Sequence, residues 1–212
     1  MAQSSPARPT NASDAERIPP DTQEAVARAN LLNEQALAAY RKRAFEQAVS
    51  LADQASKAAP GYWLPHETLA YLFNELQYGP SLYQALQAVR CDHPPLAETN
   101  LGLLLETSRQ YEPAIAYFQK ALQSDSNSWR AALGLAESLK GMEKFDQSEK
   151  ARQQVKVVDT DAEGMFYLAE SYRKIGNYEK AKEVCRRALK AANSDADTHA
   201  RLLLRTCLFK SA

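Results

Sequence analysis

The sequence predicts an all-α fold of stacked helical hairpins, and three observations carry that prediction. Ala, Leu, Glu, Gln, Lys and Arg predominate after residue 22, with only seven glycines in 212 residues, and these are good helix formers. No stretch sustains the alternation of β-branched and polar residues that marks a strand. One hairpin pattern also recurs along the chain at a nearly constant period. A hydrophobic fraction of 45% against 25% charged residues provides for a substantial core.

The pattern is clearest between Ala162 and Ser194. Met165, Leu168, Ala169 and Tyr172 fall at i, i+3, i+4 and i+7, one face of a helix. Gly176-Asn177 interrupts it, and Tyr178, Ala181, Val184, Cys185 and Ala188 resume it. Ala169, Ala181 and Ala188 are small enough to let two antiparallel helix backbones approach closely. Aligned on those three positions, the chain gives the triplets Ala36/Ala48/Ala55, Ala70/Leu82/Val89, Gly102/Ala114/Ala121, Ala136/Ser148/Val155 and Ala169/Ala181/Ala188. Their first members are separated by 34, 32, 34 and 33 residues. This order of small and aromatic positions resembles the tetratricopeptide repeat, whose period is about 34 residues, and the resemblance covers about four-fifths of the chain. It implies an α-solenoid, a right-handed superhelix of helix-turn-helix units.

Taken in order, residues 1 to 22 hold four prolines and almost nothing large and apolar, which predicts a disordered N-terminal tail. Within it Asn11-Ala12-Ser13 matches a glycosylation acceptor, a pattern short enough to arise by chance. The repeat domain is expected over 23 to 212, with repeats at about 29–62, 63–94, 95–128, 129–161 and 162–195. Phe45, Tyr111, Phe145 and Tyr178 recur as a turn aromatic, and Pro60 and Pro94 stand where a ring without an N–H stops helix growth. In the second repeat Gly79-Pro80 replaces the aromatic, and Leu82 and Val89 occupy sites that are usually small, so the helix pair should splay or shift. The fourth carries Arg152 where a core aromatic is expected. Either its helix rotates so that Val155 and Val158 fill in, or the arginine runs its stem along the core and its head into water. Residues 196 to 210 read as a terminal capping helix, rather apolar for that role. Leu204, Leu208 and Phe209 on it could mediate weak self-association, so a monomer or weak dimer is expected.

Several function classes are excluded or left without support. Formal net charge is zero, which gives no reason to expect nucleic acid. Residues 1–106 carry 8 Lys/Arg and 12 Asp/Glu, while 107–212 carry 18 and 14, so the chain is mildly dipolar. Cys91, Cys185 and Cys207 are odd in number and lack CxxC spacing, so neither a disulfide framework nor a thiolate metal site is indicated. Cys91-x-His93 offers two ligands and no second pair. Phosphate loop, nucleophile elbow and zinc-protease motifs are absent; His66-Glu67-Thr68-Leu69-Ala70 lacks the second histidine. We therefore expect no enzyme activity, no cofactor and no metal. No apolar run is long enough to span a membrane or serve as an export signal, so a cytoplasmic protein is expected, or a periplasmic one if a signal precedes this sequence.

The resemblance also implies where a partner binds. In the family, the first helices of the repeats line a concave groove. The positions facing it correspond here to Asn30, Asn33, Leu37, Tyr40 and Arg41; Leu64, Glu67, Tyr71, Asn74 and Glu75; and Leu96, Thr99, Leu103, Glu106 and Thr107. The last two repeats supply Arg130, Leu133, Glu137, Lys140 and Gly141, then Glu163, Phe166, Glu170, Arg173 and Lys174. Tyr40, Leu37, Tyr71, Leu103, Leu133 and Phe166 would form an apolar floor, with Glu67, Glu75, Glu106, Glu137 and Glu170 as an acidic rail. Such a surface suits a peptide or helix with apolar anchors and basic residues between them; the glutamates also fit a plain solvated helix surface. Family members that clamp the acidic C-termini of heat-shock chaperones use Lys and Asn on one repeat, Asn on the next, then Lys and Arg. Asn100 occupies the middle site, but Glu67 and Tyr71 precede it and would repel a carboxylate, so that partner is not expected. The implied role is a non-catalytic scaffold or adaptor. The alternative is a bacterial envelope assembly factor for a pilus or secretion system, tethered by its tail and acting through oligomerisation.

Overall fold

The computed structural model of the protein describes residues 20–77, 79–91, 95–157, 161–191 and Arg205. The expected tail up to residue 19, the terminal helix with Leu204, Leu208 and Phe209, and His93 and Val158 lie outside the described residues. Within them the chain is helical throughout its regular structure, without strands. The helices are α1 (Gln23–Arg41), α2 (Phe45–Ala58), α3 (Trp63–Glu75), α4 (Ser81–Arg90), α5 (Pro95–Thr107), α6 (Tyr111–Ser124), α7 (Trp129–Gly141), α8 (Phe145–Gln153), α9 (Ala162–Lys174) and α10 (Tyr178–Ala191). Odd-numbered helices open repeats and even-numbered ones return. The chain divides after Ala97 into two compact units.

Helix starts and stops follow from local chemistry. Thr22 Oγ1 accepts from the Ala25 amide at 3.2 Å, Ser128 Oγ from Ala131 at 3.4 Å and Asp161 Oδ1 from Gly164 at 2.8 Å, each filling an orphan donor of a first turn. At the other end of each odd helix one residue takes the left-handed conformation: Arg43, Gln77, Arg109, Glu143 and Gly176, with φ between 56° and 78°. The following amide then reaches back past the last turn, as from Ala44 to Ala39 O at 3.0 Å and from Lys144 to Leu139 O at 2.9 Å. This closure satisfies helix-end carbonyls and reverses the chain.

In the first unit the α1–α2 hairpin packs almost entirely through alanine. Ala29, Ala36, Ala39, Ala48, Ala52, Ala55 and Ala59 are buried, and Leu69 and Leu72 of α3 close over them. Asp21 and Thr22, assigned by composition to the tail, sit on this unit: Asp21 Oδ2 accepts from the Gly61 amide at 2.6 Å. Buried His66 ties α3 to Gln84 at 3.0 Å and to Pro60 O at 3.1 Å. Cys91 is buried too, its thiol pushed up to about 11 by burial and by Asp21 against the opposing charge of Arg90. It behaves as a small hydrophobe.

The second repeat departs from the alignment at its return helix. Leu82 and Val89 were aligned to the small sites, yet Leu82 is only half buried, whereas Ala85 and Ala88 are fully buried. The close approach is therefore made by alanine after all, out of the expected register. Gly79-Pro80 delays the helix, leaving α4 with 10 residues where α2, α6 and α10 have 14. Proline, lacking an N–H, suits a helix start but not its interior.

In the second unit Phe118 of α6 is wholly buried between two glycines. A Cβ on Gly102 would lie 2.7 Å from its ring, and one on Gly134 would come closer still. A further cluster gathers Leu133, Met165, Leu168, Ala169, Tyr172, Ala181, Val184, Cys185 and Ala188. Arg152 does not carry its head into water, because its side chain is 1% exposed, head included, while Val155 packs against the core cluster. Arg152 Nε donates to Ser171 Oγ at 2.7 Å, Nη2 donates to Glu137 Oε1 at 3.1 Å, and Nη1 meets Glu149 Oε2 at 3.4 Å. A buried guanidinium is tolerable only when its charge and donors are answered in this way.

Candidate functional site

The first helices of the second unit enclose a cleft of about 440 Å³. From α5 come Leu103 and Glu106; from α7, Trp129, Arg130, Leu133, Gly134 and Glu137; from α9, Glu163, Tyr167, Glu170, Ser171 and Lys174. Gly134 is there because Phe118 fills the space behind it. Trp129 and Tyr167 form one wall, stacked at 5.9 Å with 23° between their planes. Trp129 is fixed by donating its indole N–H to Asp161 Oδ2 at 2.8 Å, and Arg130 lies over its ring at 5.0 Å.

The cleft's acids differ in what already holds them. Glu163 takes Arg130 Nη2 at 2.8 Å on both oxygens. Glu170 takes Arg173 through two nitrogens at 2.7 to 3.1 Å. Glu137 accepts from Ser171 Oγ at 2.7 Å and from Arg152, with Lys140 at 3.6 Å. Burial pushes the Glu137 carboxyl up, but the hydrogen bonds from Ser171 and Arg152 and the charges of Lys140 and Arg152 outweigh it and hold it below the usual carboxylate value. Glu106 differs: among the described residues nothing hydrogen-bonds to or ion-pairs with its carboxylate. Burial first, then the charge of Glu137, raises its pKa, while Lys174 across the cleft lowers it.

Of the residues carried over as groove-lining, Leu103, Glu106, Arg130, Leu133, Glu137, Glu163, Glu170 and Lys174 meet in this cleft. Phe166 packs against the core cluster instead, and its neighbour Tyr167, half exposed, takes the open face. Arg173 is not part of the lining but pairs with Glu170, which is. Trp129, Gly134, Tyr167 and Ser171 were not anticipated. One helical step separates Phe166 from Tyr167, about 100° of rotation, which a position count cannot resolve.

In the first unit two of the carried-over aromatic residues meet. Tyr40 and Tyr71 pack edge to face at 5.6 Å, Tyr71 OH donates to Tyr40 OH at 3.4 Å, and Tyr40 OH donates to Glu75 Oε2 at 3.3 Å. Leu37 is half buried, Asn74 exposed and Glu67 buried. Asn33 is buried in α1 and so cannot face a partner; its Oδ1 has no hydrogen-bond partner among the described residues. No group of His, Cys, Asp and Glu among the described residues could hold a metal ion.

Two family models, each described as a tetratricopeptide repeat, match residues 162–195 and 99–128, which take in the α9–α10 hairpin and most of the α5–α6 hairpin. These two stretches match the tetratricopeptide repeat, and the remaining helical hairpins share its fold. Among solved structures, a thermophilic tetratricopeptide-repeat protein of Thermus thermophilus matches with a TM-score of 0.65 and 18% identity, over 85% of this chain and 99% of its own. PilF of Pseudomonas aeruginosa matches with a TM-score of 0.64 and 17% identity, over 89% and 90%. YrrB, a repeat protein with an unusual peptide-binding site, matches with a TM-score of 0.51 and 18% identity, over 82% and 90%. At these identities the likeness is one of fold. No curated protein matches the chain. Stacked repeats of this fold create extended surfaces. No helix among the described residues is long and apolar enough to cross a membrane.

Proposed function

We propose that this chain is a non-catalytic scaffold that holds a segment of a partner protein in the cleft between α5, α7 and α9. The observation that supports the reading is the lining itself: Leu103, Leu133 and the stacked Trp129–Tyr167 pair offer apolar area beside oriented charges. Its size lies in the ordinary range of binding pockets, about 300–1,000 Å³. Tyr167 replaces Phe166 and joins Leu103 as the proposed anchors there, and Tyr40 and Tyr71 are the rival candidates in the first unit.

The test compares partner capture by wild type, Tyr167→Ala and Tyr71→Ala, with helicity checked by circular dichroism. Tyr167→Ala should lose the partner and Tyr71→Ala should retain it. Loss with Tyr71→Ala alone would move the working surface to the first unit, and retention by both would sink the cleft. The envelope-assembly alternative draws on the fold likeness to PilF and on Leu204, Leu208 and Phe209; none of the described residues favours it.

A further inference from the structure

We propose that the cleft admits one basic side chain of the partner segment and that Glu106 receives it. The inference rests on the cleft being the partner site and goes further, by assigning the charge recognition to one residue. Three of the four acids that line the cleft are already spent inside the molecule. Glu163 is neutralised by Arg130, Glu170 by Arg173, and Glu137 by buried Arg152 together with Lys140. An incoming cation would have to displace a short charge-assisted hydrogen bond at each of these, which gains little net energy. Glu106 carries no such bond, although it is half buried in the same lining.

A carboxylate withdrawn from water without a partner is a cost that a ligand cation removes, so pairing is worth more here than at an exposed acid. Lys174 lines the opposite side of the cleft but is not within ion-pair distance, so the space between the two remains open to a ligand. A cation placed beside Glu106 also relieves its repulsion with Glu137. Lysine or arginine suits the rest of the lining, because the aliphatic stem can lie on Leu103 and Leu133 while the head reaches the carboxylate. The occupant is therefore a peptide segment with a Lys or Arg flanked by apolar residues.

The experiment pans a phage-displayed random 12-residue peptide library against the full chain and titrates synthetic versions of the recovered peptides. Recovered peptides should share one Lys or Arg whose replacement by norleucine weakens binding at least about tenfold, roughly 1.4 kcal/mol. Glu106→Gln should weaken the parent peptide equally and make it indifferent to the norleucine change, and panning on Glu106→Lys should recover Asp or Glu at that place. Glu112→Gln on α6, an exposed acid outside the cleft with the same change in net charge, should leave affinity unaltered. If peptides are lost with Tyr167→Ala yet ignore both Glu106→Gln and the norleucine change, the cleft stands and the role of Glu106 is overturned. If Tyr167→Ala has no effect, or the library yields no binder, the cleft reading fails and this proposal with it.

Discussion

At the scale of single residues, Arg152 shows how one side chain reorganises its surroundings. In successive return helices its site holds Ala52, Ala85, Phe118, Arg152 and Cys185, all buried. The sequence marked Arg152 as foreign to the pattern but not what answers it, since Glu137 lies 15 residues before it and Ser171 19 after. Removing Glu137 leaves the guanidinium in the core with Glu149 alone as counter-charge. Glu137→Ala should therefore cost about 3 kcal/mol in denaturant unfolding, whereas Glu163→Ala, at a pair exposed on both sides, should cost under about 1 kcal/mol. Acid should expose the same dependence. Burial raises Glu149, but Gln153 and Lys180 hydrogen bonds and the charges of Lys180 and Arg152 prevail, so Glu149 like Glu137 is held low. Carboxyls with lowered folded pKa contribute stability that is complete above the usual carboxylate range and lost as pH falls through the lowered values. Glu106 has the opposite sign. Its raised pKa means that ionisation opposes folding, so Glu106→Gln should raise the melting temperature at pH 7, and the gain should vanish below the usual carboxylate range.

At the scale of elements, hairpin geometry depends on two kinds of glycine that sequence alone does not separate. Gly176 has φ +78° and open space where a side chain would go, so Gly176→Ala should cost about 1 kcal/mol through backbone conformation alone. Gly134 is helical, and alanine would normally help a helix by about 1 kcal/mol. Here its Cβ would strike Phe118, so Gly134→Ala should instead cost about 1–3 kcal/mol, with Phe118→Leu relieving part of the loss in a double-mutant cycle. An additive cycle would rule out the steric account. The left-handed turns were legible only at Gly176, because Arg43, Gln77, Arg109 and Glu143 adopt the same conformation without the residue that advertises it. In the second repeat, likewise, the period was legible and the slip at Gly79-Pro80 was not, since it shows only in which alanines are buried.

At the scale of the whole molecule, the period was readable because close helix approach admits nothing large at Ala36, Ala70, Gly102, Ala136 and Ala169, and the left-handed turns keep the same intervals of 34, 32, 34 and 33 residues. The cleft was readable only in part. A repeat position identifies which residues can face inward, but whether an inward glutamate is free depends on arginines elsewhere in the chain, such as Arg152 on the neighbouring return helix. A stack whose stability is a sum of local terms should unfold with local readouts, because a repeat contacts only its neighbours. The two tryptophans allow this to be measured, since Trp63 lies in the first unit and Trp129 in the second. With Trp129→Phe leaving Trp63 as the reporter, and Trp63→Phe leaving Trp129, each unit can be followed by fluorescence in urea. Adding Glu137→Ala should move the Trp129 midpoint to lower urea by more than the Trp63 midpoint. Equal shifts would mean that the two units unfold as one cooperative body, and that the buried Arg152 network supports the whole chain rather than its own unit.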